Sequence, residues 1–220
     1  MHSIELKIIN DANMFSGIIE STQKITDVTR LDKALRIKVS RPSFFNDLKR
    51  GDSIAINGIC LTLEDFTSEV MEFTLGYETL RIIFGDSTSL ESLDSFKKKL
   101  NLERSLRFGD RIHGHLVSGH VDCKAVIIDK QWQGESLLFK IQLPVAMEPF
   151  IWKKGTVAVN GVSLTVNELG ESVSEGKFFE VCLIPETIKQ TNLSDYDRNE
   201  FFNLEADYLI KGLYQASLKK

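Results

Sequence analysis

The chain has 220 residues, enough for one large domain or two small ones. Hydrophobic residues make up 42% and charged residues 26%, an ordinary globular composition that excludes a largely disordered chain. The net charge of −4 argues against a nucleic-acid binder, and no apolar run reaches the roughly 18 residues of a membrane-spanning helix.

In chain order, residues 1–13 mix acid, base and amide with short apolar pieces. They lack the continuous apolar stretch of a signal peptide, so a cytoplasmic location is expected. Ile37–Val39, Ser53–Ile56, Glu72–Leu75 and Thr156–Val159 alternate or run apolar over strand length. Asn57-Gly58 and Asn160-Gly161 are the preferred pair for a tight hairpin, because both central positions need a positive φ. Ser89–Leu100 is expected to be helical, with Leu90, Leu93, Phe96 and Leu100 on one face and Lys97-Lys98-Lys99 at its dipole-favoured end. A last helix is expected over 206–218, with Leu209, Ile210, Leu213, Tyr214 and Ser217 on one face. That apolar stripe packs either on its own domain or on a partner subunit; the partner is the preferred reading.

An internal repeat orders these elements. Phe15-Ser16-Gly17-Ile18-Ile19-Glu20 parallels Val117-Ser118-Gly119-His120-Val121-Asp122, 102 residues later. Asn57-Gly58-Ile59-Cys60-Leu61-Thr62-Leu63 parallels Asn160-Gly161-Val162-Ser163-Leu164-Thr165-Val166 at 103. Leu75–Leu80 matches Leu183–Ile188 at 108, and Asn101-Leu102-Glu103 matches Asn203-Leu204-Glu205 at 102. The reading is two homologous, mostly β domains of about 100 residues each, joined near Arg104–Asp110, each a small barrel rather than a parallel sheet. No dinucleotide fingerprint and no P-loop is present.

Several residues carry potential chemistry. Cys60 and Ser163 occupy the same slot after the hairpin glycine. Thr62 and Thr165 follow two residues later on the same strand face. This reads either as two related pockets or as a hairpin that only holds a barrel together. His113, His115 and His120 lie within eight residues. They suit proton relay, or are satisfied and exposed histidines; no acidic or thiolate ligand has a convincing spacing for a metal. Glu205 and Asp207 point to one face if they extend a strand, and favour the N-terminus of the last helix if they start it. Cys60, Cys123 and Cys182 are odd in number and widely spaced, which indicates reduced thiols.

These motifs resemble the two-repeat, lumazine-binding riboflavin synthases. The resemblance rests on M-F-S-G-I-I-E (14–20), G-D-S-I-A-I-N-G-I-C-L-T (51–62), Y-E-T-L-R (77–81), G-H-L-V-S-G-H-V-D (114–122), N-G-V-S-L-T-V (160–166), I-P-E-T (184–187) and N-L-E-A-D (203–207). It implies an all-β fold of two tandem six-stranded Greek-key barrels and a C-terminal helix. The expected units are an extension (1–13), an N-terminal barrel (14–110), a C-terminal barrel (111–206) and a trimerisation helix (207–220). The implied reaction is dismutation of two 6,7-dimethyl-8-ribityllumazine molecules to riboflavin and 5-amino-6-ribitylaminouracil, without metal or cofactor. Implied partners are the small-molecule substrate, two further copies of the chain in a homotrimer and, in some members, a lumazine synthase shell.

The resemblance places substrate contacts in the first barrel at Phe15, Gly17, Ile18, Ile19, Cys60, Leu61, Thr62, Leu75, Gly76, Tyr77, Glu78, Thr79 and Leu80. In the second it places them at Ser118, Gly119, His120, Lys154, Val162, Ser163, Leu164, Thr165, Leu183, Ile184, Pro185, Glu186, Thr187 and Ile188. Candidate catalytic groups are Cys60 or a bound water as nucleophile and His120 or Asp207 as base, with Ser163 and Thr165 orienting the ring. The sequence departs from the family in the extra residues before Met14, in Ser16 where threonine is usual, and in a longer stretch at 86–100. The competing readings are a non-catalytic lumazine carrier and a flavin reductase barrel; the latter needs a nucleotide-binding domain for which no residues remain.

Overall fold

A computed structural model of the chain describes residues 14–84 and 98–219. The extension at 1–13 and most of the helix expected over 89–100 lie outside the described residues. Leu100, expected to end that helix, instead opens a strand, because it is buried in the first core and pairs with Gln23.

The first half contains β1 (Ser21–Gln23), β2 (Ile25–Leu31), β3 (Ala34–Ser40), β4 (Ser53–Ile56), β5 (Ile59–Thr62), β6 (Asp65–Phe66), β7 (Val70–Leu75), α1 (Tyr77–Phe84) and β8 (Leu100–Arg104). The second contains β9 (Cys123–Gln133), β10 (Ser136–Gln142), β11 (Thr156–Val159), β12 (Val162–Ser172), β13 (Gly176–Leu183), α2 (Pro185–Gln190), β14 (Phe201–Ala206) and α3 (Tyr208–Ser217). Every strand pairing is antiparallel. The four expected strands lie within β3, β4, β7 and β11. The short helices α1 and α2, at matching places in the repeat, were not foreseen.

The second half closes into a six-stranded barrel in the order β10-β13-β12-β11-β14-β9. The first half forms two four-stranded sheets, β1-β8-β4-β5 and β2-β3-β7-β6, rather than one continuous six-stranded barrel. The same path underlies both. β1 and β2 are one run broken at Lys24, and β5 and β6 one run broken after Thr62. Joined across those breaks, the strands follow the order of the second half. The second break has a physical counterpart: β12 carries a register shift between Val166 and Glu168, where the first half parts into β5 and β6. A second irregularity repeats intact, shifting register between Ile25 and Asp27 in one half and between Ile127 and Asp129 opposite β10 in the other. Bulges of this kind bend strands around a small barrel.

Each half has its own core, built on strand alternation. Leu35, Ile37 and Val39 of β3 and Met71, Phe73 and Leu75 of β7 point inward in the first. Leu137, Phe139 and Ile141 of β10 and Phe179, Val181 and Leu183 of β13 do so in the second, where Phe139 meets Phe202 edge-on at 5.2 Å. Full burial of one such side chain is worth about 1.5–3 kcal/mol. α1 adds Leu80 and Ile83 to the first core. α3 rests on the second half through Tyr214 against Phe150. Its Leu209 and Leu213 stay 56% and 67% exposed, so the stripe foreseen for this helix is divided between its own barrel and open surface.

Candidate functional site

The two hairpins form as their sequences require. Asn57 and Gly58 have φ of 47° and 79°, Asn160 and Gly161 of 45° and 80°. The two turns also meet each other. A β-carbon on Gly58 would lie 2.7 Å from the Gly161 backbone nitrogen, and one on Gly161 would lie 2.7 Å from that of Gly58. The repeat therefore has a pseudo-twofold axis that passes between these turns.

Around that axis each half lends the other a segment. Gly17 O accepts from Ser163 N at 2.8 Å, and Gly119 O accepts from Cys60 N at 2.8 Å. The Ser16-Gly17 arm of the first half thus lies on β12 of the second, and the Ser118-Gly119 arm of the second lies on β5 of the first. The arms pair with each other through Phe15 and Val117, which pack with Ala55 and Ala158 in a small third core.

Two buried carboxylates hold the arms. Glu103 accepts from Ser16 N and Oγ at 2.7 and 2.8 Å and from Gly17 N at 3.0 Å. Glu205 accepts from Ser118 N and Oγ, both at 2.7 Å, and from Gly119 N at 3.0 Å. Burial raises both carboxyl pKa values against these donors, Glu103 to about 7. Asparagines complete the junction: Asn101 Nδ2 donates to Asn160 O at 3.0 Å, and Asn203 Nδ2 donates to Asn57 O at 2.9 Å. The N-L-E repeat was visible in the sequence. Its task was not, because every partner lies in another segment.

Alternation along β5 and β12 sends Leu61, Leu63, Leu164 and Val166 inward and Cys60, Thr62, Ser163 and Thr165 outward. Cys60 is half-buried. Burial pushes its thiol pKa up and the Glu205 carboxylate adds to that, while a hydrogen bond with Ser53 opposes both. Ser163 is also half-buried, and its hydroxyl lies 2.7 Å from His115 Nδ1. Burial lowers the His115 pKa, with Asp207 acting the other way.

The three clustered histidines part company. His113 lines a cavity of about 730 Å³ beside the start of β4 and the end of β8, with Ser16, Ser53 and Glu103 on its wall. His115 is buried. His120 is exposed beside Ser118 and the Leu209–Leu213 side of α3. Among the described residues, no three histidine, cysteine or acidic side chains converge on a metal position.

Glu205 lies in β14, and Asp207 caps α3. Asp207 Oδ1 accepts from Leu209 N at 2.9 Å and Oδ2 from Thr156 Oγ1 at 2.6 Å. The two residues therefore divide the alternatives left open by the sequence. Lys154 has φ of 69° and donates its N–H to Val166 O at the turn before β11. Ile18 is 45% exposed, while Ile19 packs on the second core. At the ends of β7 and β13, Gly76, Tyr77 and Glu78 are exposed, with Thr79 half-buried. Ile184, Pro185 and Glu186 are likewise exposed, with Thr187 and Ile188 half-buried. Leu75 and Leu183 are buried in the two cores, and Val162 is buried after its turn.

Two symmetry-related polar faces on paired barrels define a twofold-repeated ligand-binding protein. The lumazine binding domain model matches this chain twice, over residues 16–105 and 118–207. The chain is 34% identical over 207 residues to riboflavin synthase of Actinobacillus pleuropneumoniae, covering 94% of this chain and 91% of that one. It is 34% identical over 202 residues to that of Bacillus subtilis (strain 168), covering 92% and 89%. In fold it is similar to LumP complexed with riboflavin, with a TM-score of 0.74 and 19% identity, covering 87% of this chain and 98% of that one. The chain belongs to the riboflavin synthase family.

Proposed function

We propose that this chain catalyses the dismutation of two 6,7-dimethyl-8-ribityllumazine molecules. One molecule gives a four-carbon unit to the other, forming riboflavin and 5-amino-6-ribitylaminouracil, so the enzyme is a transferase. The observation that carries the reading is the doubled hairpin face, present in two related but unequal copies in a chain of this family. A reaction between two identical molecules suits two similar sites. Holding both reactants in a set geometry is worth up to about 7–11 kcal/mol in favourable intramolecular models.

In this reading one lumazine lies over Cys60, Thr62 and the start of α1, reached by the His120 arm. The other lies over Ser163, Thr165 and the start of α2, reached by the Gly17–Ile19 arm. The raised Cys60 pKa keeps the thiol protonated near neutrality. This supports a bound water as the nucleophile at C7 and Cys60 as a contact to the ring. Asp207 spends both carboxylate oxygens on Thr156 and the α3 cap, which supports a structural over a base role. The exposed Leu209 and Leu213 support assembly through α3 into a homotrimer, where the N-terminal barrel of one subunit faces the C-terminal barrel of another. The units at 14–110, 111–206 and 207–220, a cytoplasmic location and association with lumazine synthase are the remaining parts of the proposal.

The test is anaerobic incubation of the pure protein with the lumazine alone. One riboflavin formed per two lumazines consumed is expected. Tight binding without conversion would instead make the chain a carrier. Cys60→Ser is expected to leave appreciable turnover, and its loss would return the thiol to the nucleophile's role.

A further inference from the structure

The second outward face has a buried histidine behind it. His115 sits on the segment that leads into the second arm, is 8% exposed, and donates its backbone N–H to Ser16 O at 3.2 Å. Its Nδ1 lies 2.7 Å from Ser163 Oγ, and its Nε2 is buried with no hydrogen-bond partner. Gly114 makes the approach possible: a β-carbon there would lie 2.2 Å from Ser16 O and 2.7 Å from Ser163 Oγ. Among the described residues the first half has no histidine in an equivalent place. Cys60 stands in the place of Ser163, and the residue 102 positions before His115 is Asn13.

We infer that His115 is a positioning residue that makes Ser163 the proton acceptor of the second site, so that this site holds the lumazine that loses its C7-methyl proton. The inference rests on the dismutase reading and deepens it. The methyl C–H bond breaks, and its proton bonds to Ser163 Oγ as the hydroxyl proton passes to His115 Nδ1. The electron pair stays on the substrate and spreads into the ring, leaving an exocyclic methylene. In the exchange reaction the imidazolium returns a proton to the methylene along the same path; in turnover it gives the proton up to the amine nitrogen freed on the uracil product, so neither residue is consumed. Two conditions must hold, and the structure provides both. The ring must be neutral at rest, which burial favours by disfavouring the charged form. The imidazolium must be tolerated briefly, and Asp207 at the start of α3 is the carboxylate acting on it, while Glu103 is engaged by Ser16 and Gly17 of the facing arm. The relay also fixes the tautomer, with Nδ1 accepting and the ring proton on Nε2.

Two measurements test this. In the wild-type protein with the lumazine bound, ¹⁵N NMR of the histidines should show an unprotonated Nδ1 at His115, assigned by its loss in His115→Asn. A protonated Nδ1 would overturn the relay whatever the variant does. Asparagine retains a hydrogen-bonding group for Ser163 but no base. His115→Asn is therefore expected to lower kcat about a hundredfold or more, as general base catalysis contributes about 10²–10⁴-fold, with KM within about threefold. Solvent deuterium exchange into the C7 methyl should slow in parallel. Retention of kcat and exchange within about threefold in His115→Asn would refute the inference. The exchange assay separates this from the dismutase reading. A wild-type protein that exchanges the methyl but forms no riboflavin would sink that reading and leave the relay standing, and one that does neither would sink both.

Discussion

The crossed arms make a quantitative prediction about glycine. Gly17 has φ of 74°, and a β-carbon on it would lie 2.6 Å from Ser163 Cβ and 2.7 Å from Ser163 N. Alanine in that conformation costs about 1–2 kcal/mol by itself. The overlap also displaces the arm, whose Gly17 carries one hydrogen bond to Glu103 and one from Ser163. Losing two buried hydrogen bonds costs about 2–5 kcal/mol, since each leaves a group unpaired. Gly134 supplies the control: its φ is 61°, but nothing lies within 4 Å of a β-carbon there. Gly134→Ala is therefore expected to cost about 1–2 kcal/mol and Gly17→Ala about 3–7 kcal/mol, with Gly119→Ala close to Gly17→Ala because its β-carbon would lie 2.5 Å from Cys60 Cβ. Urea unfolding followed by both fluorescence and circular dichroism measures the three variants on one scale. Equal costs for Gly17→Ala and Gly134→Ala, within about 0.5 kcal/mol, would show that the arm is not seated on the second barrel.

Further consequences concern pH, the asparagines and assembly. Burial raises Glu103 from the ordinary 4.5 to about 7, so between those values the folded chain keeps a proton that the unfolded chain has released. Stability therefore falls as pH rises from about 4.5 to about 7, by an order of 3 kcal/mol for this residue, and Glu103→Gln should flatten the slope of urea midpoint against pH. Asn101→Ala removes the donor to Asn160 O and the acceptor for Asn192 N, and is expected to cost about 2–4 kcal/mol in the same unfolding assay. Leu213→Asp, at a site 67% exposed, should leave the circular dichroism spectrum of the folded chain unchanged but convert a trimer to monomers in sedimentation velocity. Trimers that survive the change would acquit α3 of that role.

The sequence made the repeat and the hairpins legible because their signals are local. Asn-Gly demands its turn whatever surrounds it, and period-two alternation places Cys60, Thr62, Ser163 and Thr165 on an outward face without tertiary knowledge. The break of the first barrel at Lys24 and after Thr62 left no mark in composition. The exchange of arms was invisible for a different reason. Ser16-Gly17 and Glu103 are 86–87 residues apart, and nothing in either segment says which half it will serve. The histidines show the same limit. Eight residues of sequence hold His113, His115 and His120 together, while the chain turns at Gly114 and Gly119 and sends them to a cavity wall, an interior and an open surface. Of these, His115 is the one whose surroundings, rather than its neighbours in sequence, give it a chemical partner.

The meeting of Gly58 and Gly161 bears on how two such halves can diverge. Side chains at the axis face their own counterparts, so a bulky replacement on one side is opposed at once by the other, and the turns stay alike by mutual exclusion. The halves already differ at Ile59 and Val162, and at Cys60 and Ser163 each residue answers to an arm from the opposite half instead of to its twin. An enzyme that must treat two identical molecules unequally has to break its own symmetry somewhere. Here one such break lies at Cys60 and Ser163, beside an axis where the two turns hold each other alike.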